Sequence, residues 1–207
     1  MAITGLLLCG FLMVHFTGNL LMLVGAEAFD GYAHKLHSQP AIIAIAEVGL
    51  VILFFAHIFL AYTTTRENYL ARKIAYAEKT TKQEGGIILP ALAPNNWMHI
   101  SGLVVLGFII LHLIDFRFGL RADLNYGDLS PYDKALTILR NPISCTVYCI
   151  GTSFLCWHLL HGVSSAFQSL GIHHPKYNRI IKCAGVLFAF LFGLGFIIFP
   201  LWAIATQ

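Results

Sequence analysis

Five of the ten histidines fall inside strongly apolar stretches: His15, His57, His112, His158 and His161. A sixth, His99, stands at the mouth of one. Ionisable side chains are costly in such surroundings, and where they occur they mark function. A neutral imidazole offers a lone pair to a metal and an N–H to a second partner. Around position 158 the chain reads Phe154-Leu155-Cys156-Trp157-His158-Leu159-Leu160-His161-Gly162, followed by the small residues Ser164, Ser165 and Ala166. In a helix Gly162 lies one turn beyond His158 on the same face. A metal ligand next to a missing side chain leaves room for something flat and wide, as a haem requires.

The elements that carry these histidines are legible from hydropathy. Of 207 residues 57% are hydrophobic and 11% charged, against about 25% charged in an ordinary soluble domain. The expected fold is all-α, a single integral membrane bundle over 1–207. Five spans are expected, at roughly 3–25, 41–64, 97–118, 142–168 and 180–203, each near the ~20 residues that cross a bilayer. Pro40, Pro90, Pro94, Pro131, Pro142 and Pro175 punctuate the linkers. The first apolar segment lacks a basic flank and carries a histidine, so no cleavable signal peptide is expected. No internal repeat is apparent. Cys9, Cys145, Cys149, Cys156 and Cys183 form no disulfide framework, and buried thiol is the expected state of most. The net charge of +3 makes no case for nucleic acid.

Orientation follows from Lys and Arg in the connections. One side carries Arg66, Arg72, Lys73, Lys79, Lys82, Lys176, Arg179 and Lys182; the other carries Lys35, Arg117, Arg121, Lys134 and Arg140. The richer side is expected to be cytoplasmic, with the N-terminus inside. Depth then sorts the histidines. His57 lies about five residues, and His158 about three, past the middle of its span toward the cytoplasm; His112 lies about five, and His15 one or two, past the middle toward the outside. The result is two pairs, His57 with His158 and His15 with His112, roughly 10 Å apart along the membrane normal at about 1.5 Å per residue. Two stacked bis-histidine haems would produce this pattern. His161 is an alternative ligand to His158, and a haem-free, histidine-lined proton or metal transporter is the alternative from another functional class.

Four ligand positions and a loop motif together resemble a known family. Thr4-Gly5-Leu6-Leu7-Leu8-Cys9-Gly10-Phe11 and His15-Phe16-Thr17-Gly18-Asn19-Leu20 resemble the first span of the five-helix, dihaem cytochrome b anchor of succinate dehydrogenases and fumarate reductases. The loop Gly25-Ala26-Glu27-Ala28-Phe29-Asp30, with Tyr32-Ala33 and Leu36-His37-Ser38-Gln39-Pro40, is similar to that family, as are His158-Leu159-Leu160-His161-Gly162 and Ser165-Ala166-Phe167 in the fourth span. The resemblance implies two haem b groups: a proximal one on His57 and His158 beside an iron–sulfur subunit, and a distal one on His15 and His112. It implies electron exchange between that subunit and a membrane quinone, with menaquinone favoured. Succinate or fumarate chemistry would reside in a separate FAD-containing flavoprotein. It further implies a multi-pass protein of a bacterial cytoplasmic membrane. The rival within the same class is the cytochrome b subunit of a hydrogenase or formate dehydrogenase.

Other polar residues receive narrower expectations. Glu47, an acid inside the second span, is expected to relay protons at a quinone site near the distal pair. Glu27, Asp30 and His34 could line a proton entry. Asp115 is expected at the interface. Arg117 is a candidate partner of a distal haem propionate; His99, Ser101 and Lys182 are candidates at the proximal rim. Trp97 and Trp202 read as interface anchors.

Overall fold

The computed structural model describes residues 1–71, 97–121, 123–124, 128–172 and 174–206. Among these residues every regular element is helical. Five stretches are long and apolar enough to cross a membrane: Ala2–Val24, Pro40–Ala71, Met98–Phe118, Pro142–Ser169 and Pro175–Ala205. They comprise α1 (Ala2–Val24), α3 (Pro40–Leu70), α4 (Met98–Leu113), α6 (Pro142–Ser169), and the pair α7 (Pro175–Phe188) and α8 (Ile198–Ala205). Two shorter helices, α2 (Ala26–His37) and α5 (Pro131–Arg140), lie in connections that the sequence reads as loops. Arg72, Lys73, Lys79, Lys82, Pro90, Pro94 and His173 lie outside the described residues.

Two span ends differ from expectation for local reasons. The second continues past 64 because Thr63 and Thr65 turn their hydroxyls back onto the carbonyls of Leu60 and Ala61, at 3.1 and 2.7 Å. Those polar side chains satisfy themselves within the helix. The fifth starts at Pro175, whose missing N–H costs nothing at the first helical position. His174 caps it, Nδ1 accepting from the Lys176 amide at 3.2 Å.

Helix α6 is the hub: α1, α4 and the α7–α8 rod all pack on it, and α3 stands at the periphery. Close approach is bought by glycine. A Cβ on Gly151 would lie 2.4 Å from the Phe108 ring, and one on Gly193 only 2.4 Å from the Cys156 Cα. Such small residues let membrane helices touch, because lipid offers no hydrophobic drive to bring them together.

The short helices cover one end of the bundle. Ser130 accepts from the Asp133 amide at 3.2 Å with Pro131 behind it, which starts α5. Asp30, expected to line a proton entry, instead accepts from the Tyr132 amide at 2.8 Å and ties α2 to α5. Arg140 donates to the carbonyls of Ala203 and Thr206 at 3.0 and 2.9 Å, satisfying the end of α8. The apolar face of α5 (Ala135, Leu136, Ile138, Leu139) is buried.

After Leu113 the third span winds as a π-helix over Ile114–Phe118 and closes on Gly119 at φ 62°, a left-handed position suited to glycine. The wider turn carries Asp115 inward. Asp115 is therefore buried and not interfacial. Its carboxylate accepts from Tyr148 Oη at 2.9 Å and from Arg121 Nη1 at 3.4 Å; Arg121 Nη1 also reaches Ser144 Oγ at 3.2 Å. Arg121 further grips Asp123 at 2.6 Å, and that hydrogen bond holds the Asp123 carboxyl below the usual carboxylate range. Asp115→Ala removes the carboxylate that accepts from the Tyr148 hydroxyl and from Arg121, with an expected loss of about 2 kcal/mol. Thermal unfolding of the purified protein in detergent, followed by circular dichroism, reads this as a lower midpoint.

Candidate functional site

The four span histidines come together in two pairs, each drawn from two helices. His15 on α1 and His112 on α4 have ring centroids 5.8 Å apart at 81°. His57 on α3 and His158 on α6 have centroids 6.5 Å apart at 74°. The levels are separated consistently along three rods. On α1, His57 leans on Thr4 and Gly5, ten to eleven residues before His15. On α4, His158 leans on Ser101 and Gly102, ten to eleven residues before His112. On α6, Tyr148 touches the His112 ring ten residues before His158. At about 1.5 Å per residue the levels lie ~15 Å apart, further than the ~10 Å read from span midpoints.

Two imidazoles bound on opposite sides of one metal, at about 2 Å per metal–nitrogen bond, have centroids roughly 6 Å apart. Both pairs have that spacing. The polar contacts suit the same use, since a ligating histidine gives its other ring nitrogen to a neighbour. Every side-chain hydrogen bond of these rings uses Nδ1: His57 with Thr4 at 3.1 Å, His158 with Ser101 at 3.2 Å, and His15 with Asn19 at a long 3.4 Å. His112 Nδ1 is buried with no partner among the described residues. No group of three or more His, Cys, Asp or Glu stands ready for a metal ion among the described residues. The donor set is thus two nitrogens per site, the complement of a macrocycle that brings its own four. The residues fit two haems, one of which His57 and His158 would hold and the other His15 and His112.

Comparison with family models, curated proteins and solved structures finds no match.

The remaining candidates fall into place unevenly. His161 is half-buried and faces no second imidazole among the described residues. Gly162 does not open onto empty space: a Cβ there would meet the Met98 methyl at 3.5 Å. Ser101, expected at the rim, is fully buried and holds His158. His99 pairs with Thr65 at 2.7 Å, and because Thr65 already donates to Ala61, His99 Nε2 is the donor. Lys182 is exposed on α7. Arg117 pairs with Glu47, Nε to Oε1 at 2.9 Å, where a propionate partner had been expected. That ion pair edges a cleft of about 310 Å³ lined by His37, Ile43, Glu47, Phe116, Arg117 and Lys134. Phe116 also touches the His112 ring, with centroids 5.1 Å apart. One cleft wall therefore borders the His15–His112 level.

The structure exposes a signal that the sequence reading passed over. Positions 4–15 read T-G-L-L-L-C-G-F-L-M-V-H, and positions 101–112 read S-G-L-V-V-L-G-F-I-I-L-H. Each segment has a hydroxyl–glycine step at one end and a paired histidine at the other. The α1 and α4 segments are an internal repeat.

Proposed function

We propose that this chain is the dihaem cytochrome b membrane anchor of a succinate:quinone oxidoreductase. It would pass electrons between an iron–sulfur subunit and membrane quinone. The observation that carries the reading is the two close imidazole couples, supplied by four spans at two levels. Haem b, when bound there, supplies one-electron exchange and no substrate chemistry.

The chain's own residues do the rest. His57 and His158 would hold the proximal group, and His15 and His112 the distal one, and a haem held by two imidazoles would supply electron transfer. The rods fix the spacing of the two levels. At the distal end the cleft beside Phe116 offers a carboxylate, two cations and His37 to a quinone head, menaquinone being the favoured occupant. Glu47, ion-paired with Arg117 at the edge of that cleft, would give or take the protons that accompany a quinone's electrons. The flavoprotein and iron–sulfur subunits would dock at the N-terminal end of α1, the cytoplasmic side by charge count.

Glu47→Gln keeps the shape of that carboxyl but not its proton exchange. Quinol-driven haem reduction is expected to slow by at least about 100-fold with haem content unchanged. Stopped-flow spectroscopy on the purified complex measures it; an unchanged rate removes Glu47 from the relay. The reading as a whole is tested by affinity purification of the tagged chain from its native membrane. Co-isolation of an iron–sulfur and a covalent-flavin subunit, with haem reduction by succinate, supports it. A hydrogenase or formate dehydrogenase partner, or a haem-free chain, overturns it.

A further inference from the structure

The repeat gives the His57–His158 pair a matched support. Thr4 Oγ1 donates its one hydrogen to the Met1 carbonyl at 2.8 Å. Ser101 Oγ donates its one hydrogen to the Met98 carbonyl at 3.0 Å. Both bonds run three residues back along the helix. A hydroxyl whose hydrogen is committed can only accept from a further partner. The imidazoles that approach these oxygens are therefore assigned as donors, His57 Nδ1–H to Thr4 and His158 Nδ1–H to Ser101, with the Met98 backbone a second hydrogen-bond partner of His158. That fixes the tautomer of both rings and leaves each Nε2 lone pair free. The glycines that follow serve the same rings. A Cβ on Gly5 would stand 3.3 Å from His57 Cε1, and one on Gly102 would stand 3.4 Å from His158 Cε1. Two repeats thus present the same hydroxyl-and-glycine seat to the two members of one pair. Their own histidines, His15 and His112, form the other pair. Parallel repeats of this kind are related by an axis along the membrane normal.

We propose that Thr4 and Ser101 are equivalent positioning residues, duplicated with their helices, that hold His57 and His158 as Nδ1–H ligands of one and the same haem. The proposal rests on the dihaem reading and adds the residues that set the character of one haem but not the other. A hydrogen bond from Nδ1 makes Nε2 a stronger donor. It favours the oxidised metal and lowers the potential. The other pair has no such seat: His112 Nδ1 is unpartnered among the described residues, and the Asn19 contact to His15 is long.

The test uses the purified wild-type complex and the variants Thr4→Val, Thr4→Ser and Ser101→Ala. Potentiometric titration resolves the two haems, EPR reports the ligand field of each, and transfer to apomyoglobin reports retention. Thr4→Val and Ser101→Ala are each expected to raise the potential of the same single haem and to speed its release about 10-fold, the low end for losing such a support. Thr4→Ser is expected to keep wild-type values, and the second haem serves as the internal control for folding. Shifts in different haems, loss of both haems, no shift, or failure of Thr4→Ser to match wild type each overturn the proposal. A wild-type chain with two haems and unmoved variants sinks this inference alone; a wild-type chain without haem sinks the dihaem reading beneath it.

Discussion

If the chain carries the two proposed haems, His57→Ala or His158→Ala is expected to strip one and spare the other, while His15→Ala or His112→Ala strips the opposite one. Each of these imidazoles lies beside one other imidazole, with centroids 5.8 Å apart in one pair and 6.5 Å in the other. Alanine leaves one imidazole where the proposed haem needs two. His161 is the nearest substitute, but it lies a turn away from His158 without a facing ring. The levels are ~15 Å apart. Sites beyond about 7–10 Å that share no partners behave independently, so the surviving haem is expected to keep its potential within measurement. Redox titration of each variant reads the assignment directly. Loss of the same haem from both sets would contradict the pairing.

Gly193→Val is expected to lower the unfolding midpoint sharply and to release the His57–His158 haem ahead of the other. A Cβ at 193 would stand 2.4 Å from the Cys156 Cα and 2.8 Å from its backbone nitrogen. Backbone cannot step aside as the end of a side chain can, so α6 would have to move as a rod. Forcing volume into a packed contact costs about 1–3 kcal/mol, and the upper end applies where the neighbour is main chain. Cys156 lies two residues before His158, so the shift reaches the ligand. Gly107→Ala is the control: nothing lies within 4 Å of a Cβ there, and removing a helical glycine is expected to gain a few tenths to about 1 kcal/mol. Melting curves followed at the haem band and by circular dichroism separate the two effects. Equal midpoints for Gly193→Val and wild type would show that the α6 contact is slack.

What hydropathy could and could not tell is clear from particular residues. The five spans were legible because each is a long apolar run bounded by proline or polar residues. The ring pairs followed from height alone, since four spans place their histidines at two levels; their role as haem ligands is the proposal that the observed spacing supports. Rotation about each helix axis was not legible. Ser101 looked like a rim residue by position, yet packing turns it fully inward. Asp115 looked interfacial from its place at the outer end of the span, whereas the wider π-turn, which rotates less per residue than an α-helix, sets it inward. Level spacing was underestimated because spans were centred on a common midplane, whereas packing sets His57 against the very start of α1. The repeat was hidden because its like positions are dominated by interchangeable Leu, Val and Ile, and only the contacts of Thr4 and Ser101 showed which letters mattered.

The most direct measurement is the haem content of the purified chain, by pyridine haemochrome assay against protein concentration, with low-temperature EPR of the oxidised sample. The account predicts two b-type haems per polypeptide, both low-spin with two imidazole ligands. A colourless protein, a single haem, or a high-spin signal from an open coordination position would contradict it.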